Sequence, residues 1–384
     1  MVVEGKMTHK PSRIILCIFS LLLISQLPFI STNPQQAMTI QTIIPENNPD
    51  LFIILSPQYS QDTDILKAIH AYITAVHNDL GWTATIISIQ ESQNTYQQID
   101  AIIETSNNNH TVKACVMVGE DLNTALGGDT DHLEQPSILP WVTLGGTTGY
   151  ESTDQGIISK PSTMQICISL LYPPQRLTYE QKKSSLLFAF QKFTTQRHQP
   201  LQNTIRVFES SALNTYSKPL YQHLADYVSL EYTEDATAAE LTDTFTTSYA
   251  AFFVHGHSNP SGTDIAVQPS AGWFPAETLN TLQTPFFGAD GCYTAGWWSN
   301  QKDNNRLDES LGTSYYSATI FTSQTIQAMA LGLLSQNGYS IPVSFLENAM
   351  PDLLSGKTLA ESMIGDTTIG DTIIIGDPTF QYTI

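Results

Sequence analysis

The chain has 384 residues, 41% of them hydrophobic, and a formal net charge of −20 at pH 7. That length makes two or three domain-sized units or one large two-lobed unit, and the apolar content excludes a disordered chain. The acidity excludes nucleic acid as a partner, because no basic footprint exists to neutralise phosphates, and it suits cationic substrates or a bound structural calcium.

Residues 1–13 carry Lys6, Lys10 and Arg13, and residues 14–30 form an uncharged apolar run. This order of basic and apolar regions predicts a secretory leader over residues 1–32, either cleaved or kept as an N-terminal anchor. The run is at the short limit for a membrane span. A secreted or cell-surface location follows, with membrane contact only through an uncleaved leader. Residues 33–48 are mostly polar, carry Pro34 and Pro45, and read as a linker.

From Leu51 strands and helices alternate. Leu51–Leu55 reads as a strand, and Asp62–Asn78 as an amphipathic helix with Ile65, Leu66, Ile69, Tyr72, Ile73 and Val76 on one stripe and Gly81 beyond its end. A strand over Thr83–Ile89, a helix over Tyr96–Thr105 and a strand over Val112–Val118 follow. Residues 119–163 are rich in Gly, Thr and Asp with little periodicity and read as a long functional loop. A strand over Met164–Leu171 closes a first lobe, residues 49–172, and Pro173-Pro174 marks the boundary to a second lobe, residues 173–384.

The second lobe repeats the pattern. Helices are expected over Tyr179–Phe193 and Thr237–Thr246, a helix end over Leu220–Tyr227, and strands over Thr204–Phe208 and Val228–Tyr232. Two short apolar runs, Ala250–Val254 and Pro285–Ala289, end abruptly in polar, glycine-bearing sequence and read as buried strands. About 30 residues separate them, enough for a crossover between parallel neighbours, with a short helix over Pro275–Leu282. Beyond them, Ala318–Thr322 and Thr372–Ile375 read as strands, and Thr325–Leu334, Ile341–Leu354 and Leu359–Met363 as helices. The alternation argues for an α/β fold, a mostly parallel sheet between layers of helix.

The two apolar runs deliver His255-Gly256 and Gly291-Cys292 to the ends of neighbouring strands, where open α/β sheets form their ligand crevice. A thiol nucleophile and a proton-transfer partner would meet there. Of the four cysteines, Cys17 lies in the leader, and Cys115 and Cys167 sit inside apolar runs as small buried hydrophobes. Cys292 alone stands where a strand ends. Gly256 and Cys292, also at strand ends, would offer backbone N–H groups to an oxyanion, and Gly256 would let a substrate backbone approach. Asp290 runs against this scheme, since a carboxylate two residues from the thiol raises its pKa unless the side chain turns away. His257 lies on the same side of an extended backbone as His255, which leaves a metal-dependent hydrolase using both histidines as an alternative.

A hydrophobic block ending in His-Gly, then one ending in Cys, resembles the caspase-fold cysteine peptidases, and three further stretches resemble their gingipain-like branch. Cys292-Tyr293-Thr294-Ala295-Gly296-Trp297 is close to its Cys-x-x-Gly-aromatic pattern with one residue inserted. Thr372–Phe380, containing Gly376-Asp377-Pro378, is similar to its strand-Gly-Asp-Pro ending, and Val116–Asp121 to its strand-Gly-Asp element. The likeness covers roughly residues 48–384.

The resemblance implies a caspase-like three-layer sandwich and a peptidase that cleaves amides through a thioester, with His255 and Cys292 as the catalytic pair and no cofactor required. Its substrates would be proteins or peptides. It further implies a carboxylate near the first-lobe loop that orients the histidine, for which Glu134 and Glu151 are candidates. An Asp in the specificity pocket is implied too. Ser152-Thr153-Asp154-Gln155 resembles the family's Ser-Asp-Gln with one insertion, so Asp154 is the candidate, and it would pair with a substrate Arg or Lys. The family's following Gly-Arg element is replaced here by Ser169-Leu170-Leu171. A catalytically silent relative serving as a surface binding protein is the alternative that Asp290 favours.

Overall fold

In the computed structural model the described residues are 41–42, 49–89, 98–99, 101–104, 112–119, 125–127, 135–137, 150–153, 156–159, 164–174, 177–212, 214–259, 262–265, 273–291, 294, 320–332, 345–365 and 372–384. The expected leader lies outside them. Of the expected linker, Gln41 and Thr42 form an edge strand.

Eleven strands among the described residues make one sheet. We number them β1 (Gln41–Thr42), β2 (Leu51–Leu55), β3 (Ala84–Ser88), β4 (Ala114–Val118), β5 (Cys167–Leu171), β6 (Thr204–Glu209), β7 (Ser229–Glu234), β8 (Ala251–His255), β9 (Phe286–Asp290), β10 (Ala328–Gly332) and β11 (Thr372–Gly376). Their order is β1-β3-β2-β4-β5-β11-β10-β9-β8-β6-β7. Every pairing is parallel except β1 with β3 and β10 with β11. The strands before Pro173 and those after it thus fill separate halves of the sheet. The antiparallel pairing of β10 with β11 sets the two halves running in opposite directions.

The interior strands owe their place to unbroken apolar sequence. All five residues of β2, β4, β5, β8 and β9 are buried. Successive side chains point to opposite faces, so both faces of the sheet are covered, as a parallel sheet requires. This is the expected α/β sandwich.

Helix α1 (Thr63–Leu80) is opened by the Asp62 carboxylate, which accepts from the N–H groups of Asp64 and Ile65 at 2.9 and 3.1 Å. It is closed by Gly81 at φ 69°, whose N–H donates to the His77 carbonyl. Helix α2 (Tyr179–Gln196) begins with a reciprocal Thr178–Gln181 capping box. The two helices share aromatic contacts, Tyr72 with Phe190 and Phe193 at ring distances of 5.8 and 6.1 Å. Beneath them Tyr72 donates to Asp377 Oδ1 at 2.6 Å, and Asp377 also accepts from Thr379 N and Oγ1. The Gly-Asp-Pro stretch therefore serves as a buried anchor between helix and sheet.

Three expectations are corrected. Residues 119–163 are not a bare loop: Ala125–Gly127, Gln135–Ser137, Tyr150–Thr153 and Gly156–Ser159 form a four-stranded sheet. Strands of three or four residues are too short to display a period of two. The helix expected over Thr325–Leu334 is strand β10 instead. Its Ala, Met and Leu residues favour helix in isolation, but burial between β9 and β11 overrides a propensity of roughly a few tenths of a kcal/mol per residue. Residues 320–322, expected as the end of a strand, form a turn. That turn is clasped by the buried Lys192 ammonium group, which donates to the Ile320 and Ser323 carbonyls at 3.1 and 3.0 Å.

Candidate active site

The expected meeting of two strand ends is present. β8 and β9 are parallel neighbours, and their last residues, His255 and Asp290, stand directly across from one another. On the other side of β8 the last residue of β6, Glu209, stands across from His255. Residues in register on adjacent strands project to the same face. Glu209, His255 and Asp290 therefore form a row at one edge of the sheet, each at most 7% exposed.

Glu209 holds the histidine. Its Oε1 lies 2.5 Å from His255 Nδ1. The same carboxylate accepts from Ser217 Oγ, from the Asn214–His223 helix, and from the Tyr232 hydroxyl of β7. Three donors on one buried carboxylate fix its orientation and compensate its burial. On the far side of the ring, His255 Nε2 faces Asp290 Oδ2 at 3.4 Å. Burial alone would push the imidazole pKa down. The Asp290 charge, the Glu209 hydrogen bond and the Glu209 charge together outweigh it and hold the pKa above the usual histidine value. Tyr221 packs behind the row against Phe253, its hydroxyl pushed well above the ordinary tyrosine range by burial and by the charges of Glu209 and Asp290.

The carboxylate bonded to His255 Nδ1 is thus Glu209, on the adjacent strand. Glu151 belongs to the small sheet, in Tyr150–Thr153, and Glu134 lies outside the described residues. Glu209 follows the apolar run Thr204–Phe208 as His255 follows Ala250–Val254. An acidic residue closing an apolar strand was the available signal, but the lateral order that sets β6 beside β8 is not written in the local sequence.

Gly256 is corrected in role. Its N–H donates to the Asp290 carbonyl at 3.2 Å, so it is engaged in joining the two strand ends and not turned toward an oxyanion. Its missing side chain makes room for the short strand Gly262–Asp264: a Cβ would stand 2.0 Å from the Asp264 carbonyl oxygen. The close approach is by the protein's own backbone. Gly291 is held more tightly, at φ 152°, where a Cβ would stand 2.0 Å from Ser258 Oγ and 2.2 Å from the Gly256 oxygen. Asp290 does not turn away from the site, contrary to the arrangement an active thiol would prefer. His257 is exposed on the strand His257–Asn259, whereas His255 is buried. Cys292 and Asp154 lie outside the described residues. Cys115 and Cys167 are buried, and burial pushes the Cys167 thiol up to about 12 and raises that of Cys115 further. Neither is a nucleophile. No helix among the described residues is long and apolar enough to cross a membrane.

No known family and no curated protein matches the chain in sequence. In fold it is similar to several solved structures. One is gingipain R (RgpB), described as an Arg-specific cysteine proteinase, at 12% identity over 88% of this chain and 79% of that one, with a TM-score of 0.53. Another is the complex of the pro- and mature domains of RgpB from Porphyromonas gingivalis, at 12% identity, 86% and 79% coverage and a TM-score of 0.54. A third, described as a protease, is 10% identical over 88% and 79%, with a TM-score of 0.51. At these identities the likeness establishes the fold, an α/β arrangement of the caspase-like kind.

Proposed function

We propose that a chain with this fold and this row of strand-end residues is an exported cysteine endopeptidase. The observation that carries the reading is the Glu209–His255 contact at the end of β8, next to the strand that leads to Cys292. In this reading the Cys292 sulfur attacks the scissile carbonyl carbon. As the tetrahedral adduct collapses, His255 Nε2 gives its proton to the leaving amine, the C–N bond breaks, and a thioester remains. Water, deprotonated by the now neutral imidazole, then cleaves the thioester and frees the thiol. Glu209 keeps Nδ1 protonated throughout and stabilises the imidazolium. The Cys292 N–H serves the oxyanion, Gly256 being committed to Asp290.

Asp154 is proposed as the floor of a pocket for a substrate Arg or Lys. Its support is the Ser152–Gln155 resemblance and the Arg specificity named for gingipain R. A fluorogenic peptide panel varied at the residue before the cut tests it: a basic preference lost in Asp154→Ala supports the pocket, and an apolar preference unaffected by it removes it. The Lys/Arg-then-apolar order of residues 1–30 supports export. A native protein found in the cytoplasm with those residues intact would overturn that.

The decisive experiment is labelling with a thiol-directed, peptide-like electrophile. Labelling at Cys292, with hydrolysis abolished in Cys292→Ala and His255→Ala, supports the peptidase. A folded protein that neither labels nor hydrolyses supports the second reading, a silent caspase-fold binding protein. The observation favouring that reading is Asp290 facing Nε2.

A further inference from the structure

The main chain of the row is laced together by one repeated contact. The first residue beyond each strand donates its N–H to the carbonyl of the last residue of the neighbouring strand. Asp235 beyond β7 donates to Glu209 at 2.9 Å, Ser210 beyond β6 to His255 at 2.9 Å, and Gly256 beyond β8 to Asp290 at 3.2 Å. The series starts at Asp235, on the outermost strand.

Asp235 is also the non-glycine residue with a positive φ among the described residues, at 51°. Asp and Asn tolerate this left-handed backbone better than other side chains because they bond locally. Here Asp235 Oδ1 accepts from Ser211 N at 2.9 Å, and Oδ2 accepts from Ser211 Oγ at 2.6 Å. One residue thus grips the chain on both sides of Ser210: the Glu209 carbonyl with its N–H, and Ser211 with its carboxylate.

The grip sets the register of β7. This strand ends the sheet, beside β6, and none of its residues is buried. Register is weakly specified in a strand that buries neither face. It matters here because of what β7 presents to Glu209. Glu234 stands directly across from Glu209, and the Lys218 ammonium pairs with it. Tyr232, two residues earlier and on the same face, puts its hydroxyl on Glu209 Oε2. A slip of one residue would turn both to the other face.

We propose that Asp235 is a positioning residue for the Glu209–His255 pair: its left-handed turn and its bonds to Ser211 lock β7 and the Glu209–Ser211 main chain in the register at which the Glu209 carboxylate meets Nδ1. It touches no reacting atom and acts through Glu209. The inference rests on His255 being the working histidine of the peptidase reading, and its test includes a measurement that needs no hydrolysis, so that the two can fail separately.

The test follows the His255 ring by nitrogen-15 NMR in the full-length protein, beside peptide hydrolysis and urea unfolding. Asp235→Gly leaves the left-handed turn accessible and removes both side-chain bonds to Ser211. Its His255 ring resonances should move, and kcat should fall about tenfold with KM within about twofold, the mark of a misplaced catalytic group and not of lost substrate binding. Asp235→Asn tolerates the same backbone and can still accept from Ser211 N–H, so it should restore the wild-type resonances and most of kcat. A strand-end cap serving stability alone predicts a lower urea midpoint in Asp235→Gly with unmoved His255 resonances. Unmoved resonances or an unchanged kcat in that variant overturns the proposal, as does an Asp235→Asn variant equally impaired. Should Asp235→Gly not fold, Ser211→Ala removes one of the two bonds and decides in the same terms, by whether the His255 resonances move. Resonances that move in Asp235→Gly and return in Asp235→Asn, in a protein that hydrolyses no peptide, retire the peptidase reading and leave the role of Asp235 standing.

Discussion

Glu209 Oε1 and His255 Nδ1 lie 2.5 Å apart, bridging two parallel strands at residues that are direct neighbours in register. A glutamine at 209 keeps the size of the side chain and loses its charge, so the imidazolium goes unsupported and the ring's tautomer is no longer fixed. Glu209→Gln should lower kcat by about 10²–10⁴-fold, the range for proton-transfer assistance, with little change in KM. Steady-state kinetics on a fluorogenic peptide check this. A variant retaining half the wild-type kcat would remove Glu209 from the mechanism.

Lys192 provides a pH-dependent term in stability. Burial pulls its pKa from 10.5 down to about 7, although its Nζ donates to two carbonyls of the turn at Ile320–Ser323. Below about pH 7 it is charged in both folded and unfolded chains, and the cost of burying that charge is fully present. Between about 7 and 10.5 the unfolded chain holds more protons, so stability rises with pH across that window. Urea midpoints at pH 7 and pH 9 should differ in this direction for the wild type. In Lys192→Met that component of the difference should vanish, and an undiminished slope would show that other groups carry it.

Two glycines with positive φ should respond differently to alanine. At Gly291, φ 152°, a Cβ collides with Ser258 Oγ and the Gly256 carbonyl. At Gly81, φ 69°, it meets nothing within 4 Å. Gly81→Ala should therefore cost about 1 kcal/mol, the left-handed backbone alone. Gly291→Ala should cost about 1–3 kcal/mol from strain, with the collision added, and should shift the His255 ring resonances. Chemical denaturation and the histidine spectrum read both. Equal costs with an unmoved His255 would mean that the Asp290–Gly291 backbone is not pinned.

Tyr72→Phe removes one hydroxyl, which donates to Asp377 and lies 3.2 Å from Thr379 Oγ1. The Asp377 carboxyl is wholly buried, and burial raises its pKa against the opposing hydrogen bonds from Tyr72 and Thr379 and the charge of Arg197. Losing the strongest of those donors should cost about 1–3 kcal/mol and leave peptide hydrolysis unaffected, because this cluster lies at the sheet edge opposite His255. Urea unfolding combined with an activity assay separates the two effects.

Much of this fold is legible in the chain because parallel strands buried on both faces must be apolar throughout, as Leu51–Leu55 and Ala250–Val254 are. The adjacency of β8 and β9 followed from the length of their connection. Lateral order across a sheet has no such local trace. The role of Glu209 is not legible in the sequence for that reason: β7 follows β6 in the chain, yet β8 lies on the other side of β6. The composition of Ala328–Gly332 points to helix, since Ala, Met and Leu favour it, and only the slot between β9 and β11 makes the segment a strand. Asp290 was legible as a problem for the thiol, but only the register showed it facing the imidazole.

The order of the sheet also bears on how the chain is made. β5 and β10 do not bond to one another; each bonds to β11, whose residues lie 372–376 in the chain. The half sheet β2–β5 and the half sheet β6–β10 have all their own strands well before β11 leaves the ribosome. Until it arrives they remain two sheets, with the apolar strands Cys167–Leu171 and Ala328–Gly332 as open edges. In the complete fold the segment after β11 is held to the second half: Gln381–Thr383 pairs with His198–Pro200, and the Tyr382 hydroxyl donates to the Ala250 carbonyl. A nascent chain that ends shortly before residue 372 lacks the strand that covers these two apolar edges, and uncovered strand edges are where chains pair with one another instead of with themselves.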